Sequence, residues 1–365
     1  MVGGGAIGLA CAWRLAQRGA RVTLLERGAL GQESSWAAAG MLAAQIEAAK
    51  HPPQENEGAA PGLGRAFSEL CLASRALWSA FAEELGEEVG LRWGLYYVPT
   101  HEDGTLETVL SSARQAAPPI RAEAVTVEGR PAAWLPDEGR VDNRRLVSAL
   151  ARRARGAGVV IQENAPVQSV QVEGGRITQL ATTTATYAPD AVLWCAGAWS
   201  AQDIGLPPEC LSPVHPVAGE MIALRLTAAQ SAAIPHVLYC SDVYLVPRER
   251  DGEHLLLAGA TMEERGFDKH LSATSARDLR ASALEVLPAL QDAPIVEHWA
   301  GLRPATPDDL PVLGGTSLDN FFLATGHFRN GILLTPVTAD LMSACVLDSA
   351  PVADFGIARF APASV

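Results

Sequence analysis

Met1-Val2-Gly3-Gly4-Gly5-Ala6-Ile7-Gly8 runs directly into Leu9-Ala10-Cys11-Ala12-Trp13-Arg14-Leu15-Ala16, and after Gly19 comes Arg21-Val22-Thr23-Leu24-Leu25-Glu26. Leu9, Ala12, Trp13 and Ala16 share one face at helical spacing, and Gly19 supplies the stop. The β-rich run that follows ends in an acid, so helix and strand form the second half of a βαβ unit, the building block of a parallel sheet. Only Met1 and Val2 stand where the first strand belongs. A parallel strand usually has about five or six residues, so this one is expected to begin upstream of Met1. Gly3, Gly5 and Gly8 spell G-x-G-x-x-G at the helix entrance. Missing side chains there let backbone amides approach a pyrophosphate, and the helix N-terminus offers partial positive charge. Glu26 suits ribose hydroxyls and repels a 2′-phosphate, which favours FAD or NAD over NADP. The alternative is an ordinary glycine-rich turn; the order of glycines, helix, strand and terminal acid points instead to a dinucleotide.

Outward from this unit, the 365 residues are 48% hydrophobic and 19% charged, which suits one large or two interlocked globular domains. Lys and Arg total 28 against 41 Asp and Glu, a net charge of −13 with no basic tract. Nucleic-acid binding and attachment to an anionic membrane are therefore disfavoured. No apolar run is long enough for a membrane span, and no signal peptide opens the chain, so a cytoplasmic location is expected. Six cysteines lack any paired short spacing, which predicts buried thiols and neither disulfides nor a metal site. Helices are expected over 67–85, 144–156, 277–287 and 336–347, after a Pro- and Gly-rich loop at 47–64. Strands are expected at 159–162, 167–172, 190–195 and 321–324. The β-rich runs 217–226, 239–247 and 255–260 read as an antiparallel sheet.

A nicotinamide enzyme would show a convincing catalytic His, Lys or Tyr beside a second nucleotide crevice, and none is found. FAD fits better, because its extended form needs contacts from distant segments. Four such segments occur: Ser34-Ser35-Trp36-Ala37-Ala38-Ala39-Gly40-Met41, Cys195-Ala196-Gly197-Ala198-Trp199-Ser200, Trp299-Ala300-Gly301-Leu302-Arg303-Pro304 and Thr325-Gly326-His327-Phe328-Arg329-Asn330-Gly331. Together with Val243-Tyr244-Leu245-Val246-Pro247-Arg248 and Gly259-Ala260-Thr261-Met262, they make the chain resemble the D-amino-acid oxidase superfamily, and within it the glycine oxidases of thiamin biosynthesis. The resemblance covers nearly the whole chain.

It implies an α/β fold, in which an FAD-binding Rossmann-like domain of the glutathione-reductase type (1–45, 141–210, 300–365) is interleaved with an antiparallel-sheet α+β substrate domain (46–140, 211–299). It also implies oxidation of the Cα–N bond of glycine or another small amine or D-amino acid. The imine hydrolyses to the 2-oxo acid and ammonia, and molecular oxygen becomes hydrogen peroxide. By the same resemblance the dinucleotide is held by Gly3, Gly5, Ala6, Ile7 and Gly8, by Glu26 and Arg27, and by Ser34, Ser35, Ala39, Gly40 and Met41. Val167, Ala196, Gly197, Trp199, Arg303, His327, Phe328, Arg329, Asn330, Gly331 and Ile332 complete that set. Substrate contacts fall to Arg303, Tyr244, Arg329 and Met262. No side chain is expected to act as a strong catalytic base, because the cofactor carries the redox step.

Each candidate has a plainer alternative. Arg303 can grip a carboxylate with two parallel hydrogen bonds or pair with Asp308 or Asp309. Tyr244 can be a half-buried sheet residue, Arg329 a structural ion-pair member, Met262 a core filler, His327 a packed polar group and His215 a surface one. Thr335-Pro336 reads as an N-cap with the favoured first helical proline, aiming a helix N-terminus at the 326–331 loop. Asp242 stands where family members often carry His, and 305–313 lacks the Cys that tethers flavin in some relatives, so non-covalent FAD is expected. A D-amino-acid dehydrogenase using another acceptor and a non-catalytic FAD-binding subunit stay open as alternatives, as does a homo-oligomer.

Overall fold

The computed structural model describes residues 1–46, 62–100, 104–115, 120–352 and 354–361. Most of the loop expected at 47–64 lies outside them. Its last residues lead into the helix Leu63–Leu85, which starts four residues earlier than the periodicity suggested.

The expected βαβ unit is present. The helix Ala6–Gln17 follows the glycine turn, and the strand Thr23–Leu25 pairs in parallel with Val160–Gln162. Val2 sits between neighbours, bridging in parallel to both Leu25 and Trp194. Beyond it lie Val192–Trp194, then Phe321–Thr325 in parallel, then Val312–Gly315 antiparallel. One face of this sheet is covered by a core that joins Leu9 and Trp13 to Trp78, Leu146, Leu150 and Met342. The other face packs on the antiparallel meander Val167–Glu173, Arg176–Thr182 and Thr186–Tyr187.

The second sheet runs in the order Ile295–Ala305, His215–Leu226, Glu253–Gly259, Tyr244–Arg250, Val237–Cys240, Arg92–Val98, Arg130–Arg140 and Met41–Leu42, with Glu123–Val127 on the seventh strand. It is antiparallel except where Val237–Cys240 meets Arg92–Val98. The run expected over 239–247 is two strands, because the chain reverses at Ser241-Asp242-Val243. Ile295–Ala305 pairs with His215–Leu226 along almost its whole length, so the last strand of this sheet carries the chain back toward the first.

The residues leading into Met41–Leu42 carry the chain from the first sheet to the second, and two buried polar groups hold the segment on either side of that short strand. Arg248 is buried and donates to the carbonyls of Ala39 and Val141; burial pushes its guanidinium down to about 9. Glu138, fully buried, pairs with Arg75 at 2.6 Å and accepts from Gln45 N. Burial pushes its carboxyl up to about 7, against the pull of Arg75. The folded state therefore holds this proton where the unfolded chain has lost it. Stability from Glu138 is full below about pH 4.5 and declines as pH rises through 7, by roughly 1 kcal/mol per pH unit. Glu138→Gln should remove that decline. Urea midpoints of both proteins at pH 5 and pH 8 check this, and parallel pH dependences would contradict it.

No described helix is long and apolar enough to cross a membrane, and all six cysteines are buried and in no disulfide.

Candidate active site

Between the two sheets lies a cleft of ≈ 1850 Å³, its open mouth included. Every cofactor and substrate candidate named from the sequence lines it except Met262, which is 54% exposed on the outside. Thr261 N–H donates to Glu220 O, and Glu263 exchanges backbone hydrogen bonds with Ala218, so both neighbours of Met262 are tied to the strand His215–Leu226. Met262 lies between them, opposite Gly219, with its side chain largely exposed.

At one end the glycine turn does what its pattern requires. Gly3 has φ = 104°, and a Cβ there would stand 2.2 Å from Cys195 O. A Cβ on Gly8 would meet Gly3 O at 1.9 Å, so the helix can enter this close to the strand only without a side chain. No side chain caps this helix from Gly5; Ser35 Oγ accepts from Ala6 N at 2.9 Å. Glu26 is nearly buried, and its carboxylate is oriented by two backbone amides, Gly4 N at 2.7 Å and Gly28 N at 2.9 Å. Arg27 lies with its guanidinium 3.3 Å from the centroid of Trp199 and pairs with Glu33. A Cβ at Gly197 would meet no protein atom within 4 Å. A long groove that meets amides at a helix N-terminus and then an anchored acid fits an extended dinucleotide.

At the other end the wall is the second sheet. Gly219 and Gly301 face each other in register, and a Cβ on Gly219 would stand 2.3 Å from Arg303 Nη1. The glycine makes the space in which the guanidinium lies. Arg303 Nη1 donates to Thr261 O at 3.1 Å and Ala218 O at 3.3 Å. The ion pair considered above with Asp308 is not formed, because Asp308 pairs with Arg359 at 2.8 Å. Tyr244 Oη reaches Met221 Sδ at 3.7 Å, and Arg329 Nη2 donates to Tyr239 Oη at 2.9 Å. Burial raises the carboxyl of nearby Asp309, with His215 and Arg329 acting against it.

Behind the 326–331 loop, Thr335 is not the helix cap. Leu334 occupies that position, and the Thr335 hydroxyl donates back to Gly331 O at 2.8 Å. Pro336 keeps its place in the first turn of Thr335–Asp348. His327 is buried, its Nε2 is 3.1 Å from Thr338 Oγ1, and burial pushes its imidazole down to about 3. Burial favours its neutral imidazole, packed against the helix that follows the loop. Asp242 lies at the hairpin turn, where it accepts from Thr100 Oγ1 at 3.0 Å, and does not line the cleft. Gly219 and Met221 line it without having been singled out from the sequence. A glycine inside a strand is a signal of close approach, and Gly219 carried it.

This arrangement joins a dinucleotide groove to a polar pocket bearing cationic and phenolic donors, which suits a small anionic substrate beside a redox cofactor. A family model described as FAD dependent oxidoreductase matches residues 1–345. The bifunctional protein ThiO/ThiG of Synechocystis is 37% identical over 95% of this chain, which spans about half the length of that relative. Glycine oxidase of Pseudomonas aeruginosa is 34% identical, covering 98% of both chains. The crystal structure of glycine oxidase from Geobacillus kaustophilus superposes with a TM-score of 0.82 at 32% identity, covering 100% of this chain and 98% of that one. With a polar, Arg-bearing pocket at the end of a dinucleotide groove and these matches along its length, the chain belongs to the DAO family of FAD-dependent oxidoreductases.

Proposed function

We propose that the chain is a glycine oxidase, converting glycine and other small amines or D-amino acids to the 2-oxo acid, ammonia and hydrogen peroxide, in service of thiamin biosynthesis. The observation that carries this reading is Arg303, lying over the Gly219 gap in the wall of the cleft. Relatives named glycine oxidase along nearly their whole length support it.

The groove from Gly3 to Gly8 takes the pyrophosphate, and Glu26 takes the ribose hydroxyls. Bound FAD supplies the two-electron acceptor. Arg303 holds the substrate carboxylate; the carbonyls of Thr261 and Ala218 fix one of its nitrogens and orient the fork. Tyr244 adds a hydrogen bond to the same carboxylate, and Arg329, steadied by Tyr239, closes the pocket. The side chains orient the substrate and exclude water rather than take up a proton strongly. The imine product meets water outside this pocket and releases ammonia. We also assign the two-part domain division given above, non-covalent FAD and a cytoplasmic location.

The test is peroxide release with glycine, sarcosine, D-alanine and D-proline, run beside oxygen uptake. Glycine should give peroxide with matching oxygen uptake, and acid precipitation should leave the flavin in the supernatant. Substrate turnover with an artificial acceptor but no oxygen uptake would make the chain a dehydrogenase. Flavin in the pellet would show a covalent link.

A further inference from the structure

Between the strand Glu253–Gly259 and the helix Ala273–Val286, residues 261–263 stay paired to His215–Leu226 and residues 264–271 leave the sheet as a loop whose base is closed by one buried carboxylate. Glu220 accepts from Ser272 N at 2.9 Å and pairs with Arg265 at 3.2 Å and His298 Nε2 at 2.8 Å. Its own N–H donates to Thr261 Oγ1 at 2.9 Å. Both ends of the loop are thus tied to a single residue, and the tip is free to project across the cleft.

The tip lands on the dinucleotide half. Phe267 stacks on Trp199, with ring centroids 5.4 Å apart and planes 27° from parallel. Lys269 Nζ is 2.9 Å from Glu33 Oε2, and Glu33 also pairs with Arg27. Arg27, Glu33 and Trp199 all line the cleft, and Arg27 directly follows Glu26 at the ribose end. Phe267 is 53% exposed, so its contact with Trp199 does not serve a core.

We propose that this loop is a clasp that retains the adenosine half of FAD, with Phe267 and Lys269 as positioning residues acting through Trp199, Glu33 and Arg27. The assignment rests on the cleft being the FAD site. Phe267 limits the motion of the Trp199 ring, and Lys269 shares with Arg27 the task of holding Glu33. The cleft wall at this end is ordered before the cofactor arrives and resists opening afterwards. Both contacts are small and partly exposed, so each acts as a modest brake.

The holoenzyme is diluted and FAD release is followed by the return of flavin fluorescence. Phe267→Ala should release FAD about 2- to 12-fold faster, the range of an aromatic pair. Lys269→Ala should do so about 1.5- to 5-fold faster, an effect that fades at high salt. Phe267→Tyr should stay near wild type. The apo-protein's affinity for ADP should fall by the same factors, while KM for glycine stays unchanged. Wild-type release rates in both alanine variants would overturn the clasp and leave the FAD site standing. Faster release with unchanged ADP affinity would also overturn it, because the effect would then lie at the flavin end. A wild-type chain that takes up no FAD would overturn the site itself and the clasp with it.

Discussion

Arg303→Met lowers kcat/KM for glycine by about 30- to 1000-fold while flavin content stays at the wild-type level. The loss corresponds to about 2–4 kcal/mol, the worth of a charge-assisted bidentate contact in a dry pocket. Methionine fills the space opened by Gly219 with an apolar stem of similar length, so packing survives. What disappears is the planar fork. Arg303→Lys recovers only part of the loss, because an ammonium lacks the paired donors and competes differently for Thr261 O and Ala218 O. Steady-state kinetics with a flavin absorbance check measures both. Loss of flavin or failure to fold would make Arg303 structural. A near-normal rate would hand the carboxylate to Arg329.

Gly8→Ala empties the cofactor site. The added methyl would stand 1.9 Å from Gly3 O, a backbone atom that cannot rotate away. Either the helix Ala6–Gln17 moves off the sheet or the Gly3 turn distorts, and both disturb the amides that meet the pyrophosphate. The helix is buried along Leu9, Ala10, Cys11 and Ala12, so its displacement also strains the core. We expect FAD affinity to fall at least about 100-fold and stability by about 2–4 kcal/mol. Gly156→Ala is the control, since a Cβ there meets nothing within 4 Å. Flavin content after gel filtration and urea midpoints report the two effects. Full flavin occupancy in Gly8→Ala would contradict the close approach described here.

The parts that were legible in the sequence are those coded locally. The βαβ unit shows itself through glycine spacing, a helical face and an acid at a strand end, all within residues 3–26. The strand Arg130–Arg140 does not, because Pro131, Pro136 and Gly139 argue against a strand by local rules. It forms nonetheless, with irregular register opposite Arg92–Val98 between Leu135 and Gly139. The hairpin at Ser241-Asp242-Val243 was hidden inside a continuous β-rich run, where only pairing partners reveal the reversal. Met262 was placed in the site by the resemblance, and in the structure its side chain is largely exposed and does not line the cleft. The pairs Arg329–Tyr239, Lys269–Glu33 and Phe267–Trp199 each join residues far apart in the chain. No local pattern specifies such contacts, because they exist only once both sheets are assembled.

Glycine oxidation by this chain is tested most directly under nitrogen, by adding millimolar glycine to the purified holoprotein and recording the flavin absorbance. The oxidised flavin band should bleach at a rate that saturates with glycine, and admitting air should restore it with release of peroxide. If glycine, sarcosine, D-alanine and D-proline all leave the band unchanged while dithionite bleaches it, the cleft binds FAD without oxidising these amines, and the glycine oxidase assignment is wrong.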